Sequence, residues 1–203
     1  MIVIVRHGNT FESGEAPRRI GARTDLPLTA RGMEQADALG DHFARQGIAF
    51  DRVLASPLKR AKQTAQRLVA KLDRMSPLED AEFLREIDYG PDENRLEDDV
   101  LARIGAPALE AWEQRAVAPD GWQVDAEERL KAWRELLSEP GSHDQNTLLV
   151  TSNGAARFAL LADADLRGQS ENLSSLKLPT GGFGILEWSD SNRWRISAWG
   201  VRP

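Results

Sequence analysis

Cysteine is absent from the 203 residues, which excludes disulfides and thiolate-ligated metals and fits a reducing, cytoplasmic compartment. Long apolar runs are absent too. The first one stops after Val5, too short for a signal-peptide core, and no stretch approaches the roughly 20 apolar residues of a spanning helix. We therefore expect no membrane partner and no targeting segment. Positive charge is in deficit: 26 Lys and Arg against 32 Asp and Glu give a net charge of -6, which argues against a broad nucleic-acid footprint. Any anionic ligand must be held by a local cluster of cations. Repeats and low-complexity tracts are lacking as well. What is present is an ordinary globular balance, 41% hydrophobic and 29% charged, enough for the core of a single domain spanning 1–203.

Three short apolar runs, Ile2–Val5, Val53–Ala55 and Thr147–Thr151, suit strands buried on both faces, as in a parallel sheet. Ser56-Pro57 after the second run reads as a cap followed by a first-turn proline, and Leu58, Ala61, Ala65, Leu68, Val69 and Leu72 then form an apolar helical stripe. Residues 29–47 read as a helix capped by Thr29, and Asn153-Gly154 opens another at Ala155, Phe158, Ala159 and Ala162. Alternating strands and helices predict a three-layer α/β/α sandwich with a mostly parallel central sheet. The tail, 183–188 and 193–199, predicts a C-terminal β-hairpin around Ser189–Asn192. Residues 91–120 are acidic and broken by Gly105 and Pro107, a small helical cap insertion, and 125–137 returns as a helix of the main fold.

Ligands of open α/β sheets sit beyond the carboxyl ends of the strands. Those ends carry Arg6, His7, Gly8, Asn9 and Thr10, then Ser56 and Arg60, then Ser152, Asn153 and Gly154. Arginine forks match phosphate oxygens, and helix N-termini add free N–H groups, so a phosphate is the deduced ligand. Each residue alone has a plain structural explanation; their joint placement at three strand ends is what points to a site.

Val5-Arg6-His7-Gly8-Asn9-Thr10 resembles the Arg-His-Gly motif opening the histidine phosphatase superfamily, which includes the cofactor-dependent phosphoglycerate mutases. Three further segments are similar to family segments in the same order: Gly21-x3-Asp25-x-Pro27-Leu28-Thr29-x2-Gly32, Ser56-Pro57-Leu58-Lys59-Arg60-Ala61-x2-Thr64, and Leu84-x-Glu86-x2-Tyr89-Gly90. The resemblance covers nearly the whole chain. It implies that His7 attacks phosphorus and becomes phosphohistidine, that Arg6 and Arg60 bind the phosphoryl oxygens, and that Glu86 is the general acid. Asp88 and Glu93 are the neighbouring carboxylates that could be taken for that acid. Phosphate-binding roles are implied for Arg6, Asn9, Ser13, Arg60, Asn153 and Gly154; Arg18 or Arg19 is either a contact to the distal end of the ligand or a surface charge. No metal or other cofactor is required.

Relatives usually carry a second histidine where Ser152-Asn153-Gly154 stands here, and neither His42 nor His143 is spaced to replace it. An amide donates one hydrogen bond without charge, and by analogy with a lost oxyanion donor the rate could fall roughly 100- to 1000-fold. Three readings stay open: an active enzyme, a slow one, or a phospholigand-binding relative without catalysis. The specificity segment also departs, with Pro91-Asp92-Glu93-Asn94 after Gly90. The expected activity is hydrolysis of a small phosphate monoester, with mutase-type transfer as the alternative; the short chain favours water as acceptor. The expected partner is that small-molecule ester, and the sequence leaves monomer and homodimer open.

Overall fold

The strands are laid down in the order β3-β2-β4-β1-β5-β6. A computed structural model describes residues 1–73 and 76–203. Four strands are parallel: β1 (Ile2–Arg6), β2 (Arg52–Ala55), β3 (Leu78–Asp80) and β4 (Thr147–Thr151). β5 (Phe183–Trp188) runs antiparallel to β1, and β6 (Trp194–Val201) antiparallel to β5. The expected three-layer sandwich with a C-terminal hairpin is thus the observed fold. The hairpin is no appendage, because β5 extends the main sheet.

Alternation along the buried strands explains the layers. Ile2, Ile4, Leu54 and Leu149 enter one core cluster, whereas Val3, Val5, Leu148 and Val150 enter the other. Each such side chain is worth about 1.5–3 kcal/mol when fully buried. On the second face lie α1 (Ala30–Arg45) and α2 (Lys59–Val69), through Leu39, Phe43, Ala65 and Leu68. The first face is covered by α5 (Ala126–Ser138), α7 (Phe158–Leu161) and α8 (Ala164–Ser170), through Trp133, Phe158 and Leu166. Between β3 and α5 come α3 (Glu97–Ile104) and α4 (Ala106–Arg115), whose Val100 and Trp112 reach the same core. Glu97, Asp98 and Asp99 form the acidic first turn of α3.

Local signals are overridden at two places. α1 begins as expected, with the Thr29 hydroxyl accepting from the Gly32 amide at 3.1 Å. α2, however, starts at Lys59 rather than at Pro57, and Ser56 does not cap it. Its first amide, Lys59 N, donates instead to Asp25 Oδ1 at 2.7 Å, a cap supplied from 34 residues away. After β4 the single helix expected over 153–162 is broken into α6 (Asn153–Ala156) and α7, and α8 follows it. Among the described residues, no helix is long and apolar enough to cross a membrane.

Candidate active site

His7 follows β1 directly, and its main chain is held on both sides. Its N–H donates to Thr151 O of β4 at 2.9 Å, and its carbonyl accepts from Gly181 N at 3.1 Å. The side chain is 5% exposed. His7 Nδ1 lies 2.7 Å from Gly8 O. A carbonyl only accepts, so Nδ1 carries the proton and Nε2 keeps its lone pair. Arg60 Nε donates to that Nε2 at 3.2 Å. Burial, followed by the charges of Arg60 and Arg6, holds the imidazole well below its ordinary value. Neutral His7 with an unprotonated Nε2 is the ground state this pocket favours.

Arg60 is fully buried on α2. Its remaining nitrogens donate to Thr24 O at 2.7 Å and Gly21 O at 3.1 Å. The guanidinium therefore stands behind His7 and does not line the open cleft. Thr64, one turn along α2, ties the two together: its hydroxyl accepts from Gly8 N at 3.0 Å and donates to Arg60 O at 2.7 Å. The loop after β1 also presses on α1. A Cβ on Gly8 would lie 2.2 Å from Gly32 O, and one on Gly32 would lie 2.1 Å from Asn9 O. Both positions need glycine for this approach.

Of the three carboxylates considered near Tyr89, Glu86 alone lines the cleft with His7. It is 4% exposed, and its oxygens accept from Ile87 N and Gly154 N, each at 3.0 Å. Glu93 is occupied by the 21–24 loop, accepting from Gly21 N at 2.8 Å and from the Thr24 hydroxyl at 2.6 Å. Asp88 accepts from Gly90 N at 2.7 Å and pairs with Arg23 at 2.9 Å.

Arg6 and Asn153 share one residue, Leu178. Arg6 Nη1 donates to Leu178 O at 2.8 Å, while Asn153 Oδ1 accepts from Leu178 N at 3.0 Å. Arg6 Nε is buried without a protein acceptor. Both side chains line the cleft. Gly154 does not; its amide is spent on Glu86, and a Cβ there would meet Glu86 Oε1 at 2.2 Å.

The cleft encloses about 460 Å³ between the strand ends and the α3–α4 segment. His7, Arg6, Glu86, Asn9 and Asn153 meet in it, as do Arg18 and Arg19. Asn9 donates its side-chain amide to Phe11 O and, at 3.4 Å, to the Thr29 hydroxyl, so it braces the loop. Ser13 is exposed on that loop and lies outside the cleft. Arg19 pairs with Glu97 and stacks over Tyr89 and Trp122, 5.3 and 5.2 Å from the ring centroids. Two residues of the site escaped sequence reasoning. Thr64 carries no signal beyond its place in a motif, and Arg157, one turn beyond Asn153 and 1% exposed, lines the cleft as a buried cation. The one available signal for Arg157 was its i+4 spacing from Asn153.

Against known proteins, the sequence model of the histidine phosphatase superfamily (branch 1) matches residues 2–202. Adenosylcobalamin/alpha-ribazole phosphatase of Escherichia coli (strain K12) is 35% identical over 161 residues, 74% of this chain and 72% of that protein. A 2,3-bisphosphoglycerate-dependent phosphoglycerate mutase of Mesorhizobium japonicum is 27% identical over 89% of this chain and 88% of its own. The crystal structure of the alpha-ribazole phosphatase from Shigella flexneri superposes with a TM-score of 0.72 at 25% identity, covering 99% of this chain and 96% of that one.

Proposed function

The chain belongs to the histidine phosphatase superfamily, and we propose that it is a phosphatase of a small phosphate monoester that works through a phosphohistidine on His7. The observation that carries this reading is the fixed tautomer: Nδ1 is committed to Gly8 O, so Nε2 is the nitrogen left to attack.

The steps follow from the groups in the cleft. Before substrate arrives, Arg60 Nε donates a hydrogen bond to His7 Nε2. As the ester binds, that hydrogen bond breaks and frees the lone pair, and the buried guanidinium stabilises charge on the transferring group from behind the ring. Arg6, with an unpartnered Nε, serves a phosphoryl oxygen. Nε2 attacks phosphorus in line as the ester P–O bond breaks, and the leaving oxygen takes a proton from Glu86. Water then attacks the phosphohistidine, Glu86 takes its proton, the N–P bond breaks and phosphate departs. Asn153 stands in for the second histidine of relatives as a neutral donor, and 91–120 acts as the cap over the leaving group.

Hydrolysis of p-nitrophenyl phosphate by wild type and His7→Ala tests the assignment. We expect His7→Ala to lose roughly 1000-fold or more, and alkaline quenching to trap phosphohistidine on the wild type alone. Turnover surviving in His7→Ala would overturn it. Incubation with 3-phosphoglycerate and bisphosphoglycerate decides the acceptor: isomer exchange faster than phosphate release would make the protein a mutase.

A further inference from the structure

Charge in the cleft does not balance. Arg19 is paired with Glu97, Lys177 with Glu113 at 2.9 Å, and Arg18 donates to Asn94 Oδ1 at 2.9 Å. Arg157 has no carboxylate partner among the described residues. It donates Nη1 to Trp112 O and Nε to Asn153 O at 3.4 Å, and its Cζ lies 4.2 Å above the Trp112 ring. Carbonyls and a ring face orient a cation without neutralising it, and an unpaired charge at 1% exposure is costly to keep. No protein acceptor among the described residues takes a hydrogen bond from Nη2.

The position of this cation says what it serves. Its guanidinium lies over Trp112 of α4, within the segment read above as the cap over the leaving group. Arg157 is thereby placed against the cap wall of the cleft that Glu86 also lines, where the leaving alcohol must lie. The wall beside it is apolar, built by Trp112 and Leu109 of α4.

Resting on the phosphatase reading, we propose that Arg157 is a specificity residue that binds a second anionic group, carboxylate or phosphate, on the leaving alcohol. The preferred substrate is then a small phosphate monoester carrying two anionic ends. Trp112 holds the guanidinium plane, so that Nη2 meets the second anion.

Two near-isosteric pairs test this: 2-phosphoglycolate against ethyl phosphate, and 3-phosphoglycerate against glycerol 3-phosphate. In each pair the members differ chiefly by one carboxylate. The wild type should favour the carboxylate member of at least one pair by about 10- to 100-fold in kcat/KM, the scale of a charge-assisted hydrogen bond. In Arg157→Gln that ratio should fall at least about tenfold, whatever loss both members share. The shared loss reports the packing role of the side chain against Trp112; the ratio reports recognition. Should Arg157→Gln not fold, Arg157→Lys keeps the charge without the fork and should lower the ratio part-way. An unaltered ratio in a folded variant, or no preference in the wild type, overturns the proposal. If p-nitrophenyl phosphate is hydrolysed through His7 while no preference exists, only this inference fails. If nothing is turned over, the phosphatase reading fails, and calorimetry of 2-phosphoglycolate against inorganic phosphate still decides whether Arg157 holds the second anion.

Discussion

Thr64→Val removes a hydroxyl that nothing in the chemistry touches, yet it should damage both stability and rate. The hydroxyl is fully buried, accepts from Gly8 N at 3.0 Å and donates to Arg60 O at 2.7 Å. Valine keeps the shape and leaves the Gly8 N–H without an acceptor, a cost of about 1–3 kcal/mol. For a domain of this size that is a fall in melting temperature of about 2–12 °C. The new methyl would also sit at the former hydrogen-bond distance from Gly8 N, closer than a carbon tolerates, so the loop must shift. Because Gly8 O holds His7 Nδ1, that shift turns the nucleophile, and turnover should drop about 10- to 100-fold. Thermal melts and kcat on p-nitrophenyl phosphate measure the two effects, with Thr64→Ser as the variant that keeps both bonds. A Thr64→Val protein that melts within about 1 °C of wild type and turns over as fast would refute the reasoning.

The depressed affinity of His7 for a proton sets a pH dependence. The unfolded chain binds that proton near pH 6.5 and the folded one only at lower pH, so the stability contributed by neutral His7 is complete above pH 6.5 and declines below it. An NMR titration of the His7 ring in the free protein should show its midpoint well under 6.5, and a midpoint at or above that value would contradict the buried, arginine-flanked geometry. Asn153→His should raise kcat on p-nitrophenyl phosphate by about tenfold or more if the position faces the phosphoryl group. No rise in a folded variant would remove that position from the phosphate site.

The sheet was legible because its central strands are apolar on both faces; Ile2, Val3, Ile4 and Val5 leave no other placement for a run so short. β3 was not legible, since three residues reading Leu78-Glu79-Asp80 carry no apolar pattern and pair only at the sheet edge. The start of α2 misled for an opposite reason. Ser56-Pro57 is a sound local signal, but Asp25, brought over by the 21–28 loop, caps the helix two residues later than the proline suggests. At the site, the meeting of Arg6, His7, Glu86 and Asn153 follows from strand ends and motif order. The depth of Arg60 behind His7 does not, because only the fold reveals that Thr24 O and Gly21 O occupy its fork. Arg157 was invisible, since a lone arginine on a helix reads as a solvated charge until Trp112 is placed beneath it.

On the proposal that Asn153 stands in for a histidine, the amide need not be undirected. A free amide can turn either end toward a ligand, and the wrong end would set an oxygen against a phosphoryl oxygen. Here the main chain decides, because Leu178 N can only donate and so holds Oδ1. Nδ2 is thereby the end left for a ligand. The same residue anchors Arg6 through its carbonyl, and three residues on, Gly181 N donates to His7 O. A neutral donor, a guanidinium and the nucleophile are thus referenced to one short segment, 178–181. Their relative positions are therefore set together rather than separately. What the amide cannot restore is the charge itself. The rate penalty should therefore appear in kcat, where charge develops on the phosphoryl group, and much less in the binding of the ground-state ester.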